Sequence, residues 1–151
     1  MTQEDPSDLY LKSIQLIAET DHRLYLYDQN NKILVTSWKP VDKGQIDMAS
    51  FQTNALKLVE YLALYQPEYV IVDCSKMGFE MSEEDNRWYV QQTKHIWAKA
   101  KPKKIAFIFK ENLSAQLGME GLRDIAIEEG VIILNYRIFE SNIEAVNWLI
   151  N

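Results

Sequence analysis

The chain has little of what most recognisable chemistry is built from. Cys74 is the one cysteine in 151 residues, so neither an internal disulfide nor a cysteine zinc cluster can form. The two histidines, His22 and His95, show none of the spacings of a metal-ligand pair. Five glycines fall into no G-x-G-x-x-G or Walker-type pattern, which removes the main nucleotide-phosphate signatures. No apolar run approaches the roughly 20 residues needed to span a bilayer, which excludes an integral membrane protein. Positive charge is also short. Sixteen Lys and Arg stand against 22 Asp and Glu, a net charge of -6, where a general nucleic-acid binder needs a basic face to neutralise phosphates. Met1 to Asp8 is polar and acidic, without the basic and then apolar regions of a signal peptide. It reads as a flexible start to a cytoplasmic protein.

What is present is ordinary for a globule: 47% hydrophobic and 25% charged residues. The length fits one domain with a proper core over residues 1–151, and there is no internal repeat, low-complexity tract or linker. Leu9 to Ala18 contains Ile14, Leu16 and Ile17 and predicts a first strand. Arg23 to Tyr27 alternates, with Leu24 and Leu26 on one face and Tyr25 and Tyr27 on the other. The polar turn Gln29 to Lys32 leads into a third strand, Ile33 to Trp38, completing an antiparallel meander. Asp47 can cap a helix from Met48 to Tyr65, ended by Pro67. Phe51, Ala55, Leu58, Val59 and Leu62 form its inward stripe, and Leu56, Ala63 and Leu64 widen its apolar surface.

A β-branched run, Tyr69 to Val72, then reads as a strand covered on both faces. Asp73 stands where the chain leaves the sheet, the end of an open α/β sheet where sites tend to form. Ser82-Glu83-Glu84-Asp85 begins the next helix with a capping-box-like signal, and its acids suit the positive end of the helix dipole. That helix runs to about Lys99, with Tyr89, Ile96, Trp97 and Ala100 as its expected inward stripe and Trp88 beside it. Lys104 to Phe109 is another buried strand. A helix holding Leu113, Leu117, Leu122, Ile125 and Ala126 is stopped by Gly130, and Gly118 and Gly121 weaken its first half. Val131 to Phe139 reads as the last strand, and the capping box Ser141 to Glu144 opens a final helix. The order β-β-β-α-β-α-β-α-β-α predicts an α/β fold. One mixed sheet carries the antiparallel meander and then parallel strands from the β-α repeats.

This order resembles that of the STAS/SEC14-like proteins, relatives of the sporulation anti-sigma-factor antagonists. The resemblance spans Ile33 to Asn151. It rests on Ile71-Val72-Asp73 before the Ser82-Glu83-Glu84-Asp85 helix start and on Lys104-Ile105-Ala106-Phe107-Ile108-Phe109 before a helix. Its most distinctive part is the tail Phe139-Glu140-Ser141-Asn142-Ile143-Glu144-Ala145-Val146-Asn147-Trp148-Leu149. The antagonists carry an Asp-Ser-Ser-Gly motif at the corresponding helix start, where a kinase partner phosphorylates a serine. Ser82 falls near that serine, within Met81-Ser82-Glu83-Glu84, which lacks the aspartate, the second serine and the glycine. The resemblance implies a non-enzymatic regulatory or protein-interaction module. Its contact surface would be the loop Ser75 to Met81 with Ser82, Glu83, Glu84, Asp85 and Trp88. The SEC14-like side of the resemblance implies the alternative, a binder of an apolar small molecule or lipid.

The residues themselves leave little for catalysis and call for no cofactor. Cys74 would need a base, and His95 lies late in its helix, about 20 Å along the axis from the helix start. A buried, inert thiol is the simpler reading. Asp73, Glu80, Glu83 and Asp85 follow no calcium-loop spacing and read as a solvated acidic face. The basic segment Lys99 to Lys104 reads as a solvated connection or an attraction for an acidic partner or a phospholipid headgroup. Trp38, Trp88, Tyr89, Trp97 and Trp148 are expected to fill the core, to line a pocket or to anchor an interface, with Trp38 and Trp88 the two to look for on the surface. A protein partner or a homodimer is expected.

Overall fold

Strand alternation sets the frame. In the computed structural model, which describes residues 13–42, 47–78, 81–109, 113–131 and 135–150, the meander consists of β1 (Ile14–Glu19), β2 (Arg23–Asp28) and β3 (Ile33–Trp38). Leu16 pairs with Leu26 and Leu26 with Val35, both antiparallel. A register shift between Leu16 and Ala18 interrupts the β1 edge, as edge strands often need. Lys32 takes a left-handed backbone (φ 56°) to close the β2–β3 turn. Every residue of β3 is buried, as befits a strand with neighbours on both sides and cover on both faces.

Beyond the meander the strands run parallel. β5 (Tyr69–Asp73) lies between β3 and β7 (Lys104–Ile108), and β8 (Tyr136–Phe139) forms the far edge, giving the order β1-β2-β3-β5-β7-β8. Two further pieces escape the sequence reading. β4 (Val41–Asp42) and β6 (Met77–Gly78) pair as a parallel ribbon beside the carboxyl ends of β3 and β5. They are too short for any periodic signal. The last strand is shorter than Val131 to Phe139, since Val131 stands outside it, and the segment 132–134 and the start at 1–8 fall outside the described residues.

The helices start and stop where their caps dictate. The Asp47 carboxylate accepts the Ser50 N–H (2.7 Å) and starts α1 (Met48–Tyr65), and Gln66 ends it in a left-handed conformation just before Pro67. Ser82 and Asp85 form a complete capping box at α2 (Glu83–Ala100), with Asp85 N–H donating to Ser82 Oγ (3.0 Å) and Ser82 N–H to Asp85 Oδ2 (3.2 Å). The chain turns out of α3 (Leu113–Glu128) through Gly130 at φ 75°. Ser141 Oγ accepts the Glu144 N–H at the start of α4 (Asn142–Ile150).

The layers are unequal. On one face α1, α2 and α3 cover Tyr25, Leu34, Val70, Val72, Ile105 and their neighbours. On the other, the nine residues of α4 alone press Ala145, Val146 and Leu149 onto Val35, Ile71, Ala106 and Ile108. No described helix is long and apolar enough to cross a membrane.

Candidate functional site: a cavity under three helices

At the helix start, several of the expected contact residues also hold the local structure together. Asp73 Oδ1 accepts the Ser75 N–H (2.9 Å), a local turn that carries the chain into β6. Ser82 is exposed, its hydroxyl occupied as the α2 cap. Asp85 completes that cap. Glu83 pairs with Arg87 (3.4 Å), and Arg87 reaches on to Glu128 (3.2 Å) and Glu129 (3.8 Å), clasping α2 to α3. The hydrogen bond to Glu128 is the main cause that holds the Arg87 guanidinium above its usual range. Glu84 is exposed, and Trp88 is half-buried against the large core. Ser75 shares no hydrogen bond or ion pair with this group among the described residues. Trp38, expected at the surface, is buried and stacked parallel to Phe51.

Several other candidates also resolve as structure. Among the described residues no group of His, Cys, Asp and Glu can hold a metal ion; Glu80 lies outside them. Burial pushes the Cys74 thiol up to about 12, against a smaller downward pull from Arg23, so it is no thiolate at neutral pH. His95 is exposed and offers it no base. In the basic segment, Lys103 pairs with Glu68 (3.6 Å), and Lys104 donates to the Trp148 carbonyl (2.7 Å) and sits on the Trp148 ring. Leu56 and Leu64 turn outward, since the α1 stripe that packs is the narrower Phe51, Ala55, Leu58, Val59, Leu62 set.

What remains is a space of about 200 Å³ between the sheet and α1–α3. Its floor is the helix-facing side of β5 and β7, with Val72, Cys74, Ile105, Phe107 and Phe109. Phe51, Ala55 and Leu58 of α1 close one side. α2 supplies Asn86, Val90, Thr93 and Trp97, spaced i, i+4, i+7, i+11, and Gly118, Met119 and Leu122 of α3 complete the wall. The lining runs out to Lys94 and Arg123, both partly exposed, so the space reaches the surface along α2 and α3.

Among the described lining residues, two buried polar side chains keep an atom without a hydrogen-bond partner. Arg23 begins β2 on the tyrosine face, is 4% exposed and lines the cavity. Its cross-strand partner is Trp38, and the guanidinium carbon lies 4.5 Å from the Trp38 ring centre and 5.8 Å from that of Tyr25. Nε has no acceptor, and no carboxylate among the described residues pairs with the guanidinium. Tyr25 donates to Asn54 (2.9 Å to the carbonyl), and burial raises its hydroxyl to about 12 although nearby Arg23 lowers it in part. The other is Asn86, 3% exposed. Its Nδ2 donates to the Gly118 carbonyl (3.3 Å) while Oδ1 accepts nothing. Tyr89 and Thr93 are satisfied within α2: Thr93 Oγ1 donates to the Tyr89 carbonyl (2.6 Å) and Trp97 Nε1 to the Tyr89 hydroxyl (2.9 Å).

The sequence reading missed Arg23, Asn86 and Thr93 because it sought apolar stripes. The signal was present: Arg23, Tyr25 and Tyr27 share one face of a strand, and Asn86, Val90, Thr93 and Trp97 recur at helical spacing. No protein-family model, no curated protein and no solved structure matches this chain.

Proposed function

We propose that this domain binds a small apolar molecule in the space between its sheet and α1–α3 and catalyses no reaction on it. The observation that carries the reading is the cavity itself, about 200 Å³ with walls built almost wholly from apolar side chains. Interiors pack to crystal-like density, and voids larger than a water molecule are few. A comparable engineered space of about 150 Å³ stays dry and takes up benzene. Trp38 and Trp97 both line it, so occupancy has an internal fluorescent reporter. No nucleophile with a base, and no metal set, stands among the described residues around it.

The test is native mass spectrometry of gently purified protein, followed by organic extraction. A retained small molecule that changes the tryptophan emission supports the reading. A bare chain whose emission responds to no apolar probe overturns it. The same experiment addresses a second reading, a STAS-like regulatory contact at the start of α2, which the exposure of Ser82 and Glu84 supports. That reading requires a phosphate on Ser82 or a co-purifying protein displaced by changes at Ser75, Glu84 or Trp88.

A further inference from the structure

The ligand's chemistry can be read from Arg23, the one buried cation among the described lining residues. A guanidinium that is 4% exposed has given up most of its water, which costs several kcal/mol unless the charge is balanced. The faces of Trp38 and Tyr25 offset part of this, and the Tyr25 hydroxyl lies within hydrogen-bonding reach. None of these supplies a negative charge, and Nε still lacks an acceptor. Arginine presents its donors as a planar fork that matches a carboxylate with two parallel hydrogen bonds. The cavity therefore contains the cationic half of an ion pair whose other half no described residue provides.

We propose that the cavity takes an apolar monocarboxylate, its carboxylate on Arg23 and its tail against the α1–α2 wall. This rests on the binding reading above. Charge selects the headgroup: one buried cation balances one negative charge, whereas a phosphate monoester brings about -1.5 to -2 at neutral pH. Size selects the tail: scaling from benzene in about 150 Å³, the space holds on the order of ten non-hydrogen atoms, the size of a medium-chain acid or one substituted aromatic ring. The partly exposed cations Lys94 and Arg123 at the outer lining favour the approach of an anion. Asn86 Oδ1, buried without a donor, adds a preference for a tail bearing one hydroxyl.

The experiment uses the full chain and three probes of matched tail: octanoate, octanol and octyl phosphate. Binding is followed by tryptophan emission and calorimetry for the native chain, Arg23→Met and Arg23→Lys. Octanoate should bind roughly tenfold to hundredfold tighter than octanol, the range for hydrogen bonds to a charged group. Arg23→Met should bring octanoate to the level of octanol. Arg23→Lys, which keeps the charge and a similar stem, should retain part of the preference. If octanol matches octanoate on the native chain, or octyl phosphate binds tightest, the carboxylate assignment is overturned and apolar binding stands. If none of the three binds, both fall. The native-chain comparison decides the matter even where Arg23→Met does not fold.

Discussion

The two faces of the six-stranded sheet use the same strands and opposite materials. Under α4, Leu26, Val35, Ile71, Ala106, Ile108, Ala145, Val146 and Leu149 are almost completely buried, and the space is filled by aliphatic side chains. Under α1–α3 three times as many helices cover the sheet, yet Arg23, Asn54, Asn86, Thr93 and Cys74 lie buried on that side and about 200 Å³ stays open. At about 24 cal/mol per Å³, such a void forgoes at most on the order of 5 kcal/mol of packing. The larger face is thus built below its attainable stability, while the smaller face shows that this chain can pack tightly. A stability deficit confined to one face points to function there.

The comparison breaks most directly on truncation. Leu149→Ala on the filled face should cost about 3–5 kcal/mol, because its tightly packed neighbours cannot collapse into the hole. Leu58→Ala borders space that is already empty and should cost about 2 kcal/mol, near the low end of the same range. Urea midpoints at equal m-values read both. Equal losses would mean the two faces are packed alike.

Enlargement should give opposite signs. Ala106 is fully buried beneath α4, and Ala106→Leu should destabilise by about 1–3 kcal/mol through overpacking. Ala55 is equally buried but borders the cavity. Ala55→Leu should raise stability by roughly 1 kcal/mol, the value of newly buried methylenes, and should abolish octanoate binding. Destabilisation by both changes would show that the cavity walls do not tolerate a filled interior.

These contrasts explain which parts of the fold were legible. β2 alternates leucine and tyrosine, and α1 carries five apolar residues on one stripe with an aspartate before it and a proline after it, so element type followed from period and the bounds of α1 from its caps. The parallel pairing of the later strands followed from the crossovers that such strands need. β4 and β6 did not, because two paired residues have no period. The final helix was legible from its Ser141 to Glu144 cap, and its buried residues Ala145, Val146 and Leu149 recur at helical spacing. The hollow face was not, because a buried Arg23, Asn86 or Thr93 contradicts the rule by which a core is recognised. Polar residues at inward positions register as noise until a structure shows them lining one space. The helix-start signal carries two readings for a related reason: the physics that favours a phosphate there also favours an ordinary cap, and Ser82 and Asp85 form one.

Alkaline pH should weaken the hollow face. Cys74 rises from 9.0 to about 12 and Tyr25 from 10.0 to about 12, both chiefly through burial. The unfolded chain therefore releases these protons first, and stability falls as pH rises through the interval from about 9 to 12. Cys74 alone removes on the order of 1 kcal/mol by pH 10. Cys74→Ala should flatten that slope between pH 9 and 10 without altering the acid limb. Asp28 governs the acid side from the β2–β3 turn. Burial would raise its carboxyl, but hydrogen bonds from Ser13, Asn31 and the Asn30 N–H outweigh it and hold the group below 3.8. Its contribution is present above the unfolded value and is lost as pH falls through the lower folded one. Denaturation curves of Cys74→Ala and Asp28→Asn from pH 3 to pH 10 separate the two limbs, and a Cys74→Ala curve parallel to the native one above pH 9 would remove the thiol from the account.

The smallest expected effect concerns two glycines, Gly121 in the middle of α3 and Gly130 just beyond its end. A Cβ on Gly121 would meet Asn86 Nδ2 at 3.6 Å, ordinary contact, with a helical backbone that alanine prefers. Gly121→Ala should therefore stabilise by about 0.5–1 kcal/mol, the difference in helix propensity. Gly130 has open space around it but a left-handed φ of 75°, so Gly130→Ala should destabilise by about 1 kcal/mol although nothing stands in its way. The pair isolates backbone conformation from packing on a wall that borders empty space. If Gly121→Ala instead lowers the melting temperature, α3 is held close to Asn86 by its lack of a side chain, and the position of that wall, with the Asn86 amide bonded to Gly118, is set by contact more tightly than the open cavity beside it implies.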